Sequence, residues 1–150
     1  LFLTSQEQAV ASFEGADINF NNQANSSNLG KFLGSLDLTD ENFAGGSYIV
    51  KVRSSGYLWR RIPGGVQTVN KPGTTNLPLA ELVSGDIDMN NQINLTDFQI
   101  YRSCSIYSRN EGLCNGKEEY RDRSDINDDG IIDSIDQTML QKEMSVRQGD

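Results

Sequence analysis

The sequence of 150 residues contains no histidine and only two cysteines, and it has no long apolar run. Without histidine, the chain lacks the commonest general base of enzymes and a common zinc ligand, and two cysteines alone cannot complete a four-coordinate zinc site. A membrane-spanning helix needs about 18 or more consecutive apolar residues, which this sequence does not contain. These absences argue against nucleophile–histidine catalysis, structural zinc and a transmembrane segment. We therefore expect a protein that is not an enzyme.

Basic residues are scarce in the second half of the chain. Residues 1–84 hold seven Asp/Glu and six Lys/Arg, whereas residues 85–150 hold fourteen Asp/Glu and only seven Lys/Arg. Nucleic acid requires a basic footprint to neutralise its phosphates, so the composition argues against a nucleic-acid partner. The acidic half fits either a cation-binding protein or simply a soluble surface.

One acidic motif occurs twice, 39 residues apart: GDIDMNNQINLTDF begins at Gly85, and SDINDDGIIDSIDQ begins at Ser124. Both copies follow the pattern D-x-[DN]-x-[DN]-G-x5-[DE] of a twelve-residue EF-hand calcium loop, with one exception at the sixth position. Oxygen-bearing side chains at alternate positions of such a loop converge on one point, and Ca²⁺ takes about six to eight oxygen ligands. The repeat therefore predicts two calcium loops, and the alternative is two Asp/Asn-rich turns that only cap helices.

The predicted ligands occupy the same positions in both loops. Gly130 supplies the left-handed backbone at the sixth position of the second loop, and Asn91, which tolerates that conformation, stands there in the first. At the eighth position, Ile132 is expected to pair with the other loop, and both Ile93 and Ile132 are expected to point inward. The predicted ligands are Asp86, Asp88, Asn90, Asn94, Asp97 and the carbonyl of Gln92 in the first loop, and Asp125, Asn127, Asp129, Asp133, Asp136 and the carbonyl of Ile131 in the second.

Apolar residues recur at helical spacing after each loop. The segment LPLAELVSG before the first loop has the pattern of a strand and a turn. We therefore expect two loop–helix units, neither of which has a helix leading into its loop. The periodic residues are Leu95, Phe98, Tyr101 and, more loosely, Ile106 after the first loop, and Ile135, Met139, Leu140 and Met144 after the second.

The two loop–helix repeats resemble type I dockerin modules, the calcium-dependent adaptors that bind cohesin domains in cellulosomes and on cell surfaces. The resemblance covers about residues 85–148 and includes an aspartate at the twelfth position of each loop. It implies two bound Ca²⁺ ions and docking to a cohesin-like domain. The alternatives are another protein partner, including a second copy of the chain, or a purely structural unit held together by calcium. Known dockerins contact cohesin through the tenth and eleventh loop positions, often Ser-Thr. These positions are Leu95–Thr96 and Ser134–Ile135 here, and each pair is half a match.

Both cysteines lie between the two loops. Cys104 is late in the first predicted helix, and Cys114 follows in EGLCNG. A disulfide would attach the end of that helix to the linker, and the alternative is two free thiols. Calcium loops of this kind and disulfides both suit an extracellular setting, so we predict the bridge.

Residues 1–84 have a different pattern. GADINFNN, KFLGSLDLT and GSYIVKVRSSGYLWRRI contain alternating apolar residues, and Gly/Asn/Ser-rich turns separate them. This pattern predicts an all-β sandwich and resembles small immunoglobulin-like or transthyretin-like modules with a G-x-Y-x-V-K-V strand. The predicted organisation is a two-domain chain, with a β-sandwich at 1–84 and an α-helical dockerin-like domain at 85–150. Because the chain begins with leucine, we expect a processed protein or a piece of a longer one.

Three functions follow as candidates. The first is a non-catalytic extracellular docking or scaffolding protein at the cell surface. The second is a self-assembling filament subunit, in which the apolar start LFLTS adds a strand to a neighbour's sheet. The third is a carbohydrate-binding module with a polysaccharide partner, in which Tyr48, Tyr57 and Trp59 form an aromatic platform; the alternative for Trp59 is a place in the core.

Overall fold

The computed structural model describes residues 1–4, 6–21, 31–38, 43–106, 114–144 and 147–150. A short 3-10 helix at Cys114–Gly116 precedes the second of the α-helices. The strands are β1 (Phe2–Leu3), β2 (Ala9–Ala11), β3 (Asp17–Asn21), β4 (Lys31–Ser35), β5 (Gly46–Val52), β6 (Arg60–Val69), β7 (Gln92–Ile93) and β8 (Arg147–Gln148), and the α-helices are α1 (Leu95–Cys104), α2 (Glu118–Ser124) and α3 (Ser134–Glu143).

The chain divides into two compact units. The first consists of Leu1–Val50 and Gly64–Leu77, and the second of Lys51–Pro63 and Pro78–Asp150. The chain leaves the first unit within β5 and re-enters it within β6. This division differs from a simple boundary after residue 84, because residues 51–63 and 78–84 belong to the unit that contains both acidic loops.

The first unit contains strands at the three places where the alternating pattern predicts them. The strand order of the larger sheet is β2-β1-β5-β6, and β3 pairs with β4 in a separate antiparallel hairpin. Within β1, Phe2 pairs with Val50 and Leu3 with Ile49, and β2 pairs along the other edge. The apolar start of the chain therefore lies inside its own sheet. The immunoglobulin-like or transthyretin-like sandwich remains a prediction.

Aromatic side chains form the centre of the first unit. The ring of Phe2 lies 4.7 Å from that of Phe43, 5.7 Å from that of Phe13 and 5.9 Å from that of Tyr48, measured between centroids. Phe2 and Phe43 are buried. Tyr48 is thus part of this aromatic cluster.

The second unit has one apolar core to which both repeats contribute. Ile87 and Ile93 come from the first loop, Ile132 from the second, and Leu140 from α3, and all four are buried. The inward orientation predicted for Ile93 and Ile132 is confirmed. Leu58, from the 51–63 segment, is buried in the same core, which explains why that segment belongs to this unit.

The expected pairing of Ile132 with the first loop is not found, because Ile132, a described residue, lies in no strand or bridge. Ile93 in β7 pairs with Arg147 in β8, and the carbonyl of Ile132 accepts a hydrogen bond from the amide of Ile106. Each loop is therefore bonded to the chain that follows the other repeat's helix.

Helices α1 and α3 confirm the predicted loop–helix units. Both begin with a capping box, in which Asn94 and Asp97 in α1, and Asp133 and Asp136 in α3, exchange side-chain and backbone hydrogen bonds. Leu95 and Ile135, which continue the apolar spacing, are exposed instead of buried.

The prediction that no helix enters a loop holds for the first loop and is wrong for the second. Residues 43–85, all of which the structure describes, contain no helix. In contrast, α2 ends at Ser124, directly before the first residue of the second loop. Its sequence EEYRDRS is almost wholly polar, so apolar periodicity gave no signal for it, and Tyr120 packs against the core from this helix.

The predicted disulfide between Cys104 and Cys114 is present and buried. It joins the last residue of α1 to the 3-10 helix before α2. Among the described residues, none of the helices has the length and apolar content that crossing a membrane requires.

Candidate metal centre

The first acidic loop, Asp86–Asp97, folds tightly because two of its residues adopt positive φ. Met89 has φ 64° and Asn91 has φ 68°. These turns bring the amide of Asn91 to within 2.9 Å of a carboxylate oxygen of Asp86, at the opposite end of the turn. Asparagine is among the few non-glycine residues that tolerate the left-handed backbone region, so the loop can turn at its sixth position without glycine.

Asp97, at the end of the loop, is held by backbone amides on both sides. Its Oδ1 accepts hydrogen bonds from the amides of Ile87 (2.7 Å) and Asp88 (3.2 Å), and its Oδ2 accepts one from Asn94 (2.9 Å). The carboxylate therefore closes the loop and begins α1 at the same time. It is fully buried, as is that of Asp86.

Three carboxylates converge in this loop. Oxygen atoms of Asp86, Asp88 and Asp97 all lie within 4.8 Å of one another. In the part of the chain that the structure describes, the buried Oδ1 of Asp86 has no hydrogen-bond partner. A buried carboxylate oxygen without a donor is costly, whereas a cation beside the three groups would satisfy it.

The electrostatics of the loop favour a cation. The pKa of Asp86 is raised to about 6, chiefly because burial disfavours the charged form, and the carboxylates of Asp97 and Asp88 act in the same direction; the hydrogen bond from the Asn91 amide opposes them. Burial also raises the pKa of Asp97, against the hydrogen bonds from its three amide donors. A bound divalent cation would offset both the burial and the mutual repulsion.

The second loop, Asp125–Asp136, repeats the hydrogen bonding of the first. Asp128 and Gly130 have φ of 62° and 85°, like Met89 and Asn91 at the equivalent positions. Two unrelated turns would not share so many bonds, so the two loops are one structural motif used twice. The equivalent bonds are Asn91 N to Asp86 and Gly130 N to Asp125, Ile87 N to Asp97 and Ile126 N to Asp136, Asn94 N to Asp97 and Asp133 N to Asp136, and Thr96 N to Asn94 and Ile135 N to Asp133.

The two loops differ in their surroundings. Asp86 is fully buried, whereas Asp125 is only half-buried. The carbonyl of Gly56 accepts hydrogen bonds from the amides of Gly85 and Asp86, so the 51–63 segment holds the entry to the first loop. The second loop is entered from α2 instead.

The predicted ligands do different things in the structure: some bring their carboxylates close together or bury them, and the others make hydrogen bonds within the loops. Asp86, Asp88 and Asp97 converge, and Asp136 is buried at the position equivalent to Asp97. The ligand roles of the others stay predictions. Of these, Asn90 accepts from the amide of Gln92, Asn94 caps α1, Asp125 accepts from Asp129 and Gly130, Asn127 bonds Asp129, Asp129 accepts from the amide of Ile131, and Asp133 caps α3.

Two residues near the first loop lay outside the sequence prediction. Arg123, from α2, donates to the carbonyl of Ile87 and to the hydroxyl of Ser55. The amide of Trp59 donates to the side chain of Asn91. All three contacts join residues more than 30 positions apart in sequence, so no local pattern could indicate them.

Of the residues of the predicted aromatic platform, Trp59 and Tyr57 belong to the second unit and Tyr48 to the first, and the platform stays a prediction. Trp59 is half-buried, which fits neither a fully buried core residue nor an open platform. The guanidinium of Arg53 lies 4.5 Å from the centre of its ring. This cation–π contact occupies one ring face.

The donor set fits calcium. It consists of carboxylate and amide oxygens, the ligands that hard divalent cations prefer, in a loop that already has its turns formed. In Asp86 the loop holds a buried oxygen that a cation would satisfy.

The comparisons with known proteins agree with this geometry. The family model described as Dockerin type I domain matches residues 84–145. No match is found among curated proteins or among solved structures. The matched residues include both loops and all three α-helices. Residues 84–145 are therefore similar to a dockerin type I domain.

Proposed function

We propose that the second unit is a calcium-loaded, dockerin-like module that docks a protein partner outside the cell. The observation that carries the proposal is the convergence of Asp86, Asp88 and Asp97 around a buried carboxylate oxygen, within a segment similar to Dockerin type I domain. Two Ca²⁺ ions bind, one in each loop, because the second loop repeats the hydrogen bonds of the first. Each ion would neutralise repelling carboxylates and fix the start of the helix that follows.

The proposed docking surface consists of the tenth and eleventh positions of both loops. The side chains of Leu95 and Ile135 are 60% and 52% exposed, and Thr96 and Ser134 beside them are also exposed. Each pair lies in the first turn of a helix whose N-cap is a loop residue. Calcium in the loop therefore fixes the residues that would contact the partner. An exposed leucine and isoleucine at these positions favour a partner with an apolar patch.

The module itself is proposed to be non-catalytic and extracellular. Its functional groups are those of a cation site and a contact surface. The buried disulfide between Cys104 and Cys114 persists in oxidising surroundings. Calcium loops of extracellular modules are loaded at millimolar calcium. These properties suit a secreted or cell-surface scaffold.

Binding to a panel of type I cohesin domains, measured by calorimetry, tests the function. We expect binding in millimolar calcium and none in excess chelator. The variants Leu95→Asp and Ile135→Asp place a charge in the proposed surface and should weaken binding at least tenfold, since burying an unpaired charge is costly. The matched control is Leu79→Asp, because Leu79 is 48% exposed in the same unit but lies outside both helices.

Two outcomes would overturn parts of this proposal. If native mass spectrometry detects no bound calcium at millimolar concentration, the calcium function is wrong. If calcium binds but no cohesin does, light scattering of the calcium-loaded protein decides whether the partner is a second copy. A monomer that binds no cohesin would contradict the docking function.

A further inference from the structure

Asn91 connects the first loop to two segments that are distant in sequence. It stands at the sixth loop position, where the repeat's other copy has Gly130. Its φ of 68° requires only a residue that tolerates the left-handed region, which glycine would do better. The side chain of Asn91 should therefore have a use that glycine could not supply.

The polar atoms of Asn91 make three separate connections. Its amide donates to a carboxylate oxygen of Asp86 at 2.9 Å. Its side-chain oxygen accepts from the amide of Trp59 at 2.9 Å, and its carbonyl accepts from the amide of Gly149 at 3.0 Å. One residue thus touches a proposed calcium ligand, the 51–63 segment and the 147–150 segment.

The 147–150 segment is bonded to the same places. Strand β8 pairs with β7, which directly follows Asn91. The amide of Asp150 donates to the carbonyl of Trp59, and a carboxylate oxygen of Asp150 accepts from the amide of Arg61. Trp59 is therefore held on its amide side by Asn91 and on its carbonyl side by Asp150.

Gly149 shows how closely the segment approaches Asn91. A Cβ atom added at Gly149 would lie 1.8 Å from the side-chain oxygen of Asn91. No side chain can be accommodated at that distance unless one of the two groups moves. Gly149 therefore lies directly beside the side chain of Asn91, and we call this contact the seat of the 147–150 segment.

We propose that Asn91 is a coupling residue, through which calcium bound at the first loop holds Trp59 and the 147–150 segment in place. The inference rests on the proposed calcium site and adds that calcium controls the positions of two segments outside the loop. A cation among Asp86, Asp88 and Asp97 fixes the carboxylate to which the Asn91 amide is bonded. Asn91 is then held in position to accept from Trp59 and Gly149. Without calcium, repulsion among the carboxylates loosens Asn91 and releases both segments.

The test is amide exchange at Trp59 and Gly149 in the full chain, measured by NMR with calcium and with chelator. At a calcium concentration one hundred times the dissociation constant, linkage permits up to about a hundredfold slowing, and we expect at least about tenfold. Asp86→Asn should abolish the slowing at both amides. Asp125→Asn, the matched change in the second loop, should leave most of it.

Variants at position 91 separate the side chain from the backbone. Asn91→Gly keeps the positive φ but removes the acceptor, so Trp59 should lose its calcium-dependent slowing while calorimetry still detects binding at the first loop. Asn91→Asp keeps an acceptor oxygen and should retain the slowing. Equal exchange at Trp59 in the Asn91→Gly variant and the natural chain would contradict the coupling role.

A double-mutant cycle checks the contact with Gly149. Gly149→Ala should unseat the segment and raise the exchange rate at Asp150. In the Asn91→Gly background the same change should have little effect, because the clashing side chain is gone. An equal effect in both backgrounds would overturn the proposed seat.

The coupling and the calcium function fail in different ways. If calorimetry shows calcium in the first loop but exchange at Trp59 and Gly149 is the same with chelator, the coupling is wrong and the calcium function stands. If calorimetry shows no binding that Asp86→Asn removes, both the coupling and the calcium site of the first loop are wrong.

Discussion

Asp86 is a buried carboxylate whose charged form is disfavoured by its surroundings. It is fully buried, one of its oxygens lacks a donor among the described residues, and its pKa is raised to about 6. The amide of Asn91 reduces the cost of this burial without removing it. A bound cation would satisfy the remaining oxygen, so stability, pH and calcium are linked through this residue.

The chelated protein should lose stability as the pH rises from about 4 to about 6. An unfolded aspartate has a pKa of about 3.9, whereas the folded-state pKa of Asp86 is about 6. Between these values the folded state binds more protons than the unfolded state, so linkage requires the free energy of unfolding to fall with increasing pH. Urea unfolding in chelator at several pH values measures this slope.

Calcium should remove this dependence of the free energy of unfolding on pH. The ion favours the charged form of the Asp86 carboxylate and lowers its folded-state pKa below the pKa of an unfolded aspartate. The stabilisation by calcium should therefore increase across the same pH interval. Asp86→Asn should reduce the fall in chelator, leaving the part that comes from the raised pKa of Asp97, and Asp122→Asn, which changes an exposed carboxylate outside both loops, should preserve the whole fall. A chelated natural chain whose stability rises between pH 4 and 6 would contradict this account.

The loops could be predicted from sequence because their spacing is local. All the bonds that form them join residues within ten positions. The role of Asn91 could not be predicted, because its partner Trp59 is 32 positions away. The sequence shows that Asn91 stands where the motif has glycine. Only the fold shows that its side chain accepts a hydrogen bond from the amide of Trp59.

At the scale of elements, local signals also decided which helices could be predicted. Helices α1 and α3 each follow a capping box and carry apolar residues at helical spacing. Helix α2 has seven mostly polar residues and no side-chain cap on its first turn. It forms because Tyr120 packs against the core and Arg123 bonds to the first loop, which are tertiary effects.

The disulfide joins α1 to the chain before α2, and its reduction should destabilise the second unit. Cys104 and Cys114 are separated by 10 residues, and the chain-entropy model gives about 2–3 kcal/mol for a loop of this size. Urea unfolding with and without reductant should show this difference in the presence of calcium. The double variant Cys104→Ala/Cys114→Ala is the control and should not respond to reductant. Thiols that can be alkylated in the native protein without reductant would show that the bridge is absent.

At the scale of the whole molecule, the sequence predicted a β-rich part followed by a calcium-loop part but placed the division in a different position. The sequence predicts that the whole segment from Gly46 to Ile62 belongs to the β-rich part. In the structure β5 ends at Val52 and β6 begins at Arg60. Between them Leu58 enters the core beneath the loops. The burial of Leu58 depends on contacts with residues far along the chain, and the spacing of apolar residues in the sequence cannot predict such contacts.

The central claim is that calcium in the two loops holds the second unit together. Hydrogen exchange followed by mass spectrometry, with calcium and with chelator, tests it most directly. We predict that chelation increases exchange strongly in peptides from residues 51–63 and 78–150, and far less in peptides from residues 1–50 and 64–77. Equal exchange of the 51–63 and 78–150 peptides with and without chelator would contradict the account.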